Sequence, residues 1–312
     1  MEKEHHLNDP WLLAAWPGMG SVAISANYYL MAKLGVHLLA EYPAREFFDL
    51  EGVEIKGGLI QTARLPRSRL FLWHDPRERH DLVVFVGEAQ PPAKGGEFCA
   101  QLLAHARQLG VQRVFTFAAM ATAMRPEHKS RVFGAAIDRD SLADFKRHKL
   151  EVLQQGHISG LNGVLLGIAA DHGMRGGCLL GEMPHIFSQL PFPKASLAVL
   201  EAFTAMAGIT IDFAELREQA RNVDKGLEDF LLHLEQANTA APPVPEFAET
   251  SDPALIESSR RVSARDRQHL DELFAIAHKD RSRAYELKRE LDRLEVFPEN
   301  EDRFLDLFKE PR

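Results

Sequence analysis

Residues 156–186 read GHISGLNGVLLGIAADHGMRGGCLLGEMPHI. The stretch predicts a glycine-marked turn, a short apolar helix, a second glycine turn and a buried strand. The strand is expected over 177–180. Gly181, Glu182, Met183 and Pro184 read as a polar loop where the sheet stops. Helices alternating with strands in this way build a parallel α/β sheet.

The same unit opens the chain. Residues 11–16 (WLLAAW) read as a buried strand, 17–21 (PGMGS) break it, and 22–34 are helical in character. Residues 34–42 fit a second strand or an extended connection. The runs 54–61 and 69–74 read as two short strands of a hairpin outside the main sheet. Pro66 between them suits a turn and not a central strand. The clearest core strand is 81–86 (DLVVFV), whose continuous apolar run suits burial on both faces. A helix over 95–109 stops at Gly110. Strands follow at 111–117 and 131–137, then a charged amphipathic helix at 140–155.

Beyond residue 186, 194–207 is helical with Gly208 as its C-cap. Asp212 has the look of an N-cap for a helix reaching about residue 236. Residues 239–252 (TAAPPVPEFAETSD) are proline-rich and read as a linker. One long helix is expected over 262–294. Its seam of Leu270, Leu273, Ala277, Ala284, Leu287, Leu291 and Leu294 alternates spacings of three and four, interrupted by Asp280. That seam either makes a coiled-coil-like contact or packs back on its own domain. The division is thus 10–238 as an α/β core, 239–252 as a linker and 253–312 as a helical extension.

Bulk properties narrow the function. Hydrophobic residues make up 45% of the 312, enough for a real core, and the formal net charge is -8. That balance argues against nucleic acid or an anionic membrane as partner. No run of 18 apolar residues and no signal-peptide core is present, so a soluble cytoplasmic protein is expected. The two cysteines, Cys99 and Cys178, sit in apolar surroundings and read as buried reduced thiols.

Loops at the carboxyl ends of parallel strands are where such sheets bind ligands. Here they are 17–21, 87–92, 118–122 and 181–185, with the turn 156–162 beside them. Gly18, Met19, Gly20 and Ser21 precede a helix and either cradle an anion or simply make a tight turn. The third glycine of a dinucleotide fingerprint and the lysine of a P-loop are both missing. Glu88 and Glu182 each follow a strand-ending glycine. They serve as acid and base, bind a ribose or amine, or hold neighbouring loops. Gln90 and Asn162 complete the candidate ligand-binding set. Ser159 lacks Gly-x-Ser-x-Gly spacing, so no nucleophile elbow is read. His157, His172 and His185 lack the i, i+4 spacing of a zinc helix. No catalytic residue, metal or cofactor is assigned.

Four short motifs occur in order: Trp16-Pro17-Gly18-Met19-Gly20, Gly87-Glu88-Ala89-Gln90-Pro91, Gly160-Leu161-Asn162-Gly163 and Leu179 to Pro184, LLGEMP. Together they resemble the second type of proteasome assembly chaperone, in its archaeal and bacterial branch. The resemblance covers roughly residues 12–236, and the helical extension is similar to that of longer actinobacterial members. It implies a three-layer α/β/α sandwich with a mixed central sheet, similar to purine nucleoside phosphorylases. It also implies a homo-oligomer of three or more subunits with a protein partner, acting as a non-enzymatic assembly factor. The alternative is a small-molecule binding protein or enzyme for a nucleoside, nucleotide or anion. One departure stands out. Proteasome-engaging archaeal members are expected to carry a penultimate tyrosine, and this chain has Pro311 there.

Overall fold

The computed structural model describes residues 7–50, 52–239 and 262–309. They form two compact units, one running to Asp224 and one from Lys225 to Lys309.

The first unit holds, in chain order, β1 (Trp11–Ala15), α1 (Val22–Leu34), β2 (His37–Tyr42), β3 (Val53–Lys56), β4 (Leu59–Thr62), β5 (Ser68–Trp73), β6 (Leu82–Gly87) and α2 (Gly95–Gln108). It continues with β7 (Arg113–Thr122), β8 (Val132–Ala136), α3 (Arg139–Arg147), β9 (Glu151–Val152), α4 (Leu161–Asp171), β10 (Arg175–Pro184), α5 (Pro193–Ala207) and the start of α6 (Ala214–Thr239). Eight strands make one sheet in the order β2-β5-β6-β1-β7-β10-β8-β9. The central strands β6, β1, β7 and β10 are parallel. On one side β5 runs antiparallel to β6 and β2 antiparallel to β5, and on the other β8 runs antiparallel to β10. The sheet is therefore mixed, and the four parallel strands bring their carboxyl ends to one edge.

Helices α1 and α5 pack together on one face of the sheet, and α2 packs with α4 on the other. Strand residues alternate between the two layers, which is why β1 and β6 read as unbroken apolar runs. Leu12, Ala14, Val83 and Phe85 join the core beneath α2 and α4. On the other face, Phe203 of α5 is fully buried, its ring 5.5 Å from Phe115 and 5.6 Å from Phe117. Both cysteines are free and buried, and burial pushes each thiol up to about 12.

Four local expectations need correction. The hairpin lies within 53–62, where β3 and β4 pair around Gly57 and Gly58 at φ 60° and 78°. Two left-handed residues in succession make the turn that suits strand twist. Residues 69–74 belong instead to the main sheet as β5. Strands β7 and β10 run on through Thr122 and Pro184, residues expected to be loops. Their parallel register pairs Leu180 with Ala118 and continues to Pro184 with Thr122. Glu182 thus stands inside a strand. The amphipathic helix expected at 140–155 ends at Arg147, and Glu151–Val152 join β8 as a short strand.

The second unit also departs from expectation. The long helix breaks at Asp280, giving helices Ala264–Lys279 and Ala284–Arg293, followed by Phe297–Leu305. Asp280 is extended, with φ -135° and ψ 96°, and its carboxylate accepts from Ser282 N at 3.0 Å. The first two helices pack on each other. Leu270, Leu273, Ala277, Ala284, Leu287 and Leu291 are buried in this unit, so the seam closes within its own chain. The linker expected at 239–252 lies, apart from Thr239, outside the described residues.

Phe203→Ala removes a fully buried ring that contacts two others. It should cost about 3–5 kcal/mol of stability, read as a lowered urea midpoint. A midpoint within error of wild type would contradict this packing.

Candidate functional site

The carboxyl edge of the parallel strands gathers some of the expected residues and separates others. β1 ends at Ala15, and the chain turns through Trp16, Pro17 and Gly18 into a short 3-10 turn before α1. Leaving the sheet strips these residues of ladder partners, so their main-chain groups need others. Two side-chain amides supply them. Asn162, on the first turn of α4, accepts from Trp16 N at 3.3 Å and donates to Trp16 O at 3.5 Å. Gln90, from the loop after β6, donates to Pro17 O at 2.9 Å and accepts from Leu161 N at 3.0 Å. Thr116 of β7 secures the same corner by donating to Asn162 O at 2.8 Å.

Around this corner lies a cavity of about 340 Å³. Gly18, Met19, Gln90 and Asn162 line it, as do Ala118–Ala121 of β7 and the stretch 156–160 that precedes α4. Four of the eight expected ligand-binding residues therefore meet at one cavity. His157 and Ser159, weighed above as metal ligand and nucleophile, lie on its wall. Among the described residues no cluster of three His, Cys, Asp or Glu side chains could hold a metal.

Gly20 and Ser21 play another part. Gly20 is left-handed at φ 61°, and a side chain there would run into Met183 Sδ at 2.6 Å. Its N–H donates to Ser188 O at 3.0 Å and its carbonyl accepts from Phe192 N at 2.9 Å. Ser21 is also left-handed, at φ 51°, and its side chain does not cap α1. These residues tie the turn to the segment after β10, which is the tight-turn reading of the glycines.

The two carboxylates lie off the cavity, each locked by arginine. The Glu88 side chain is 4% exposed; Arg64 Nη1 lies at 2.8 Å, Arg69 Nη1 at 3.1 Å, and Arg67 N donates to it at 2.9 Å. Arg69 itself is 1% exposed. Glu182 accepts from Arg131 Nε at 2.8 Å and Nη2 at 2.6 Å, and from Thr122 Oγ1 at 2.8 Å. The Arg131 guanidinium holds the Glu182 carboxyl below the usual carboxylate range; burial pushes the other way, and the Thr122 hydroxyl adds to the lowering. A carboxylate with bidentate arginine contact is a poor base and stays ionised. The arrangement anchors strands β7, β8 and β10 to one another; it is not an acid–base pair. Sequence reading missed these arginines. A strand-start arginine such as Arg131 has no spacing relation to Glu182, because only antiparallel pairing of β8 with β10 brings them together.

The sequence model of the PAC2 family matches residues 12–231. The chain belongs to the PAC2 family. An uncharacterized protein of Methanocaldococcus jannaschii is 25% identical over 229 residues, covering 72% of this chain and 83% of that protein. The structure is similar to that of PbaB of Pyrococcus furiosus, an archaeal proteasome activator, at 27% identity and TM-score 0.62, covering 75% of this chain and 96% of that one. It is equally similar to a PAC2 family protein of Streptomyces avermitilis, at 27% identity and TM-score 0.60, covering 71% of this chain and 95% of that one. A proteasome-assembly chaperone homologue of Mycobacterium tuberculosis shares the fold at 22% identity and TM-score 0.60, covering 70% of this chain and 94% of that one. In this PAC2 chain the four ordered motifs are the pieces that meet at the strand-end corner.

The Glu182–Arg131 pair carries a pH signature. A carboxyl whose folded pKa is lowered adds stability above its unfolded value of about 4.3, and that stability is lost as pH falls through the folded value. Glu182→Gln should be less stable than wild type at pH 7, because the charged hydrogen bonds from Arg131 to position 182 are weakened while Arg131 keeps only Glu151 as a carboxylate partner. The gap should narrow from pH 5 to pH 3. Urea midpoints across that range check it; a gap that stays constant would contradict the assignment.

Proposed function

We propose that this protein is a non-enzymatic, homo-oligomeric factor of three or more subunits that acts on proteasome particles or their subunits in the cytoplasm. No nucleic acid or membrane takes part in this reading. The observation that carries it is membership of the PAC2 family together with likeness, at 27% identity over 75% of the chain, to a proteasome activator. The site chemistry agrees with it, since both strand-end carboxylates are committed to arginine. No described helix is long and apolar enough to cross a membrane.

A surface feature supports a binding role. The β3–β4 hairpin stands apart from the main sheet. Val53, Ile55 and Ile60 share one face by register, at 61%, 73% and 73% exposure. A lone two-stranded hairpin is marginal in water, and exposed apolar patches mark contacts with other chains. Engagement through the folded surface fits this exposed apolar face.

The cavity beside Asn162 favours a second reading, in which the same corner binds a small molecule. Its volume of about 340 Å³ lies within the range of ligand pockets.

Light scattering should return at least three times the 35.0 kDa chain mass. Native mass spectrometry with purified 20S core particles, and separately with unassembled α and β subunits, should show a complex with one of them. A monomer that binds neither would overturn the first reading.

A further inference from the structure

Among the described residues the cavity wall has no Lys, Arg, Asp or Glu side chain. That is unusual for the carboxyl edge of an α/β sheet, where phosphates commonly bind. The charged groups of this edge are paired among themselves elsewhere, as Glu88 with its arginines and Glu182 with Arg131. Much of the rest of the wall is small or apolar, with Ala118, Ala119, Ala121 and Leu180 and the two thioethers of Met19 and Met120. Methionine sulfur makes favourable contacts with ring edges. Leu153 and Ile158 close the side formed by the loop before α4.

His157 and Ser159 lie on the exposed part of the wall, and further in the polar groups are the amides of Gln90 and Asn162. Each amide side chain has two N–H donors and two acceptor lone pairs. Gln90 uses one donor on Pro17 O and one lone pair on Leu161 N. Asn162 divides its donor and acceptor in the same way on Trp16. Each therefore keeps a donor and a lone pair for something else, while its existing bonds hold it in a fixed orientation. Paired donor and acceptor at a fixed corner match the edge of a heterocycle or a carboxamide. They do not match a phosphate, which calls for convergent donors and positive charge.

We propose that this cavity binds an uncharged, planar heterocycle of nucleobase size and discriminates against phosphate-bearing ligands. The proposal rests on the second reading above and narrows it. The ring lies against the apolar part of the wall, with its polar edge toward Gln90 and Asn162.

Isothermal calorimetry on the full chain tests this with four probes: adenine, indole, AMP and inorganic phosphate. Adenine should bind most tightly, because indole lacks the acceptor edge. AMP should bind at least tenfold more weakly than adenine, and phosphate should give no heat. Ala121→Phe and Ser159→Phe both project from exposed positions on the cavity wall. Each folded variant, verified by circular dichroism, should weaken adenine at least tenfold. Tighter binding of AMP or phosphate than of adenine would overturn this inference and leave the second reading intact. Adenine binding unchanged in both folded variants would place the site elsewhere and overturn it too. No heat with any probe would overturn both.

Discussion

The end of β1 sets the terms for everything around it. A strand in the middle of a sheet has every main-chain group paired, but the residues that leave it do not. Trp16 is buried and cannot turn to water for partners. Its N–H and carbonyl are therefore met by the amide of Asn162, which stands in for one residue of a neighbouring strand. Because Asn162 sits on the first turn of α4, this pairing also fixes where that helix starts. Gln90 repeats the device one residue further on, joining Pro17 to Leu161. An unmet buried main-chain group costs about 1–3 kcal/mol, so the loops after β1 and β6 and the N-terminus of α4 are bound into one corner. The cavity is what that corner leaves open.

Charge on the same edge obeys a related rule. A carboxylate taken out of water must be paired or it gives up its ionisation. Glu88 and Glu182 are nearly as buried as the core, and each is surrounded by arginine nitrogens within 3.1 Å. Pairing of this kind fixes strands in register, since Arg131 lies on the far side of β10 from Thr122 in sheet order. It also removes the free charge that acid–base chemistry would use. The edge is thus polar in composition and nearly neutral in effect, and this suits a surface that recognises shape and apolar groups.

Much of the frame was legible from residues 156–186 and their counterparts. Turns marked by glycine, the apolar runs of β1 and β6, and the Gly208 cap all depend on local chemistry, which sequence displays directly. The family likeness read from the four motifs agrees with the PAC2 match. The errors share one cause. Whether β7 and β10 stop at residues 117 and 180 or run on to 122 and 184 is decided by each strand pairing with the other. Ala118, Ala119 and Gly181 have weak strand preference on their own. Likewise the seam at 270–294 keeps helical spacing on both sides of Asp280, and only the fold-back there shows that its two halves face each other.

The candidate site divides along the same line. Gln90 and Asn162 were singled out because polar residues at strand ends bind ligands, yet their first task is structural. The two roles are not in opposition. A side chain held by hydrogen bonds on one side presents its remaining donor and acceptor in a fixed direction, and a fixed direction is what discrimination between ligands requires. Glu88 and Glu182 are held just as firmly, but their carboxylates contact arginine side chains, a threonine hydroxyl and main-chain N–H groups of the protein itself. They have been turned away from the cavity by the arginines that neutralise them. Rigidity at this edge therefore leaves an uncharged opening on one side of the corner and two closed ion pairs on the other. The open corner and the two closed ion pairs are consequences of the same packing.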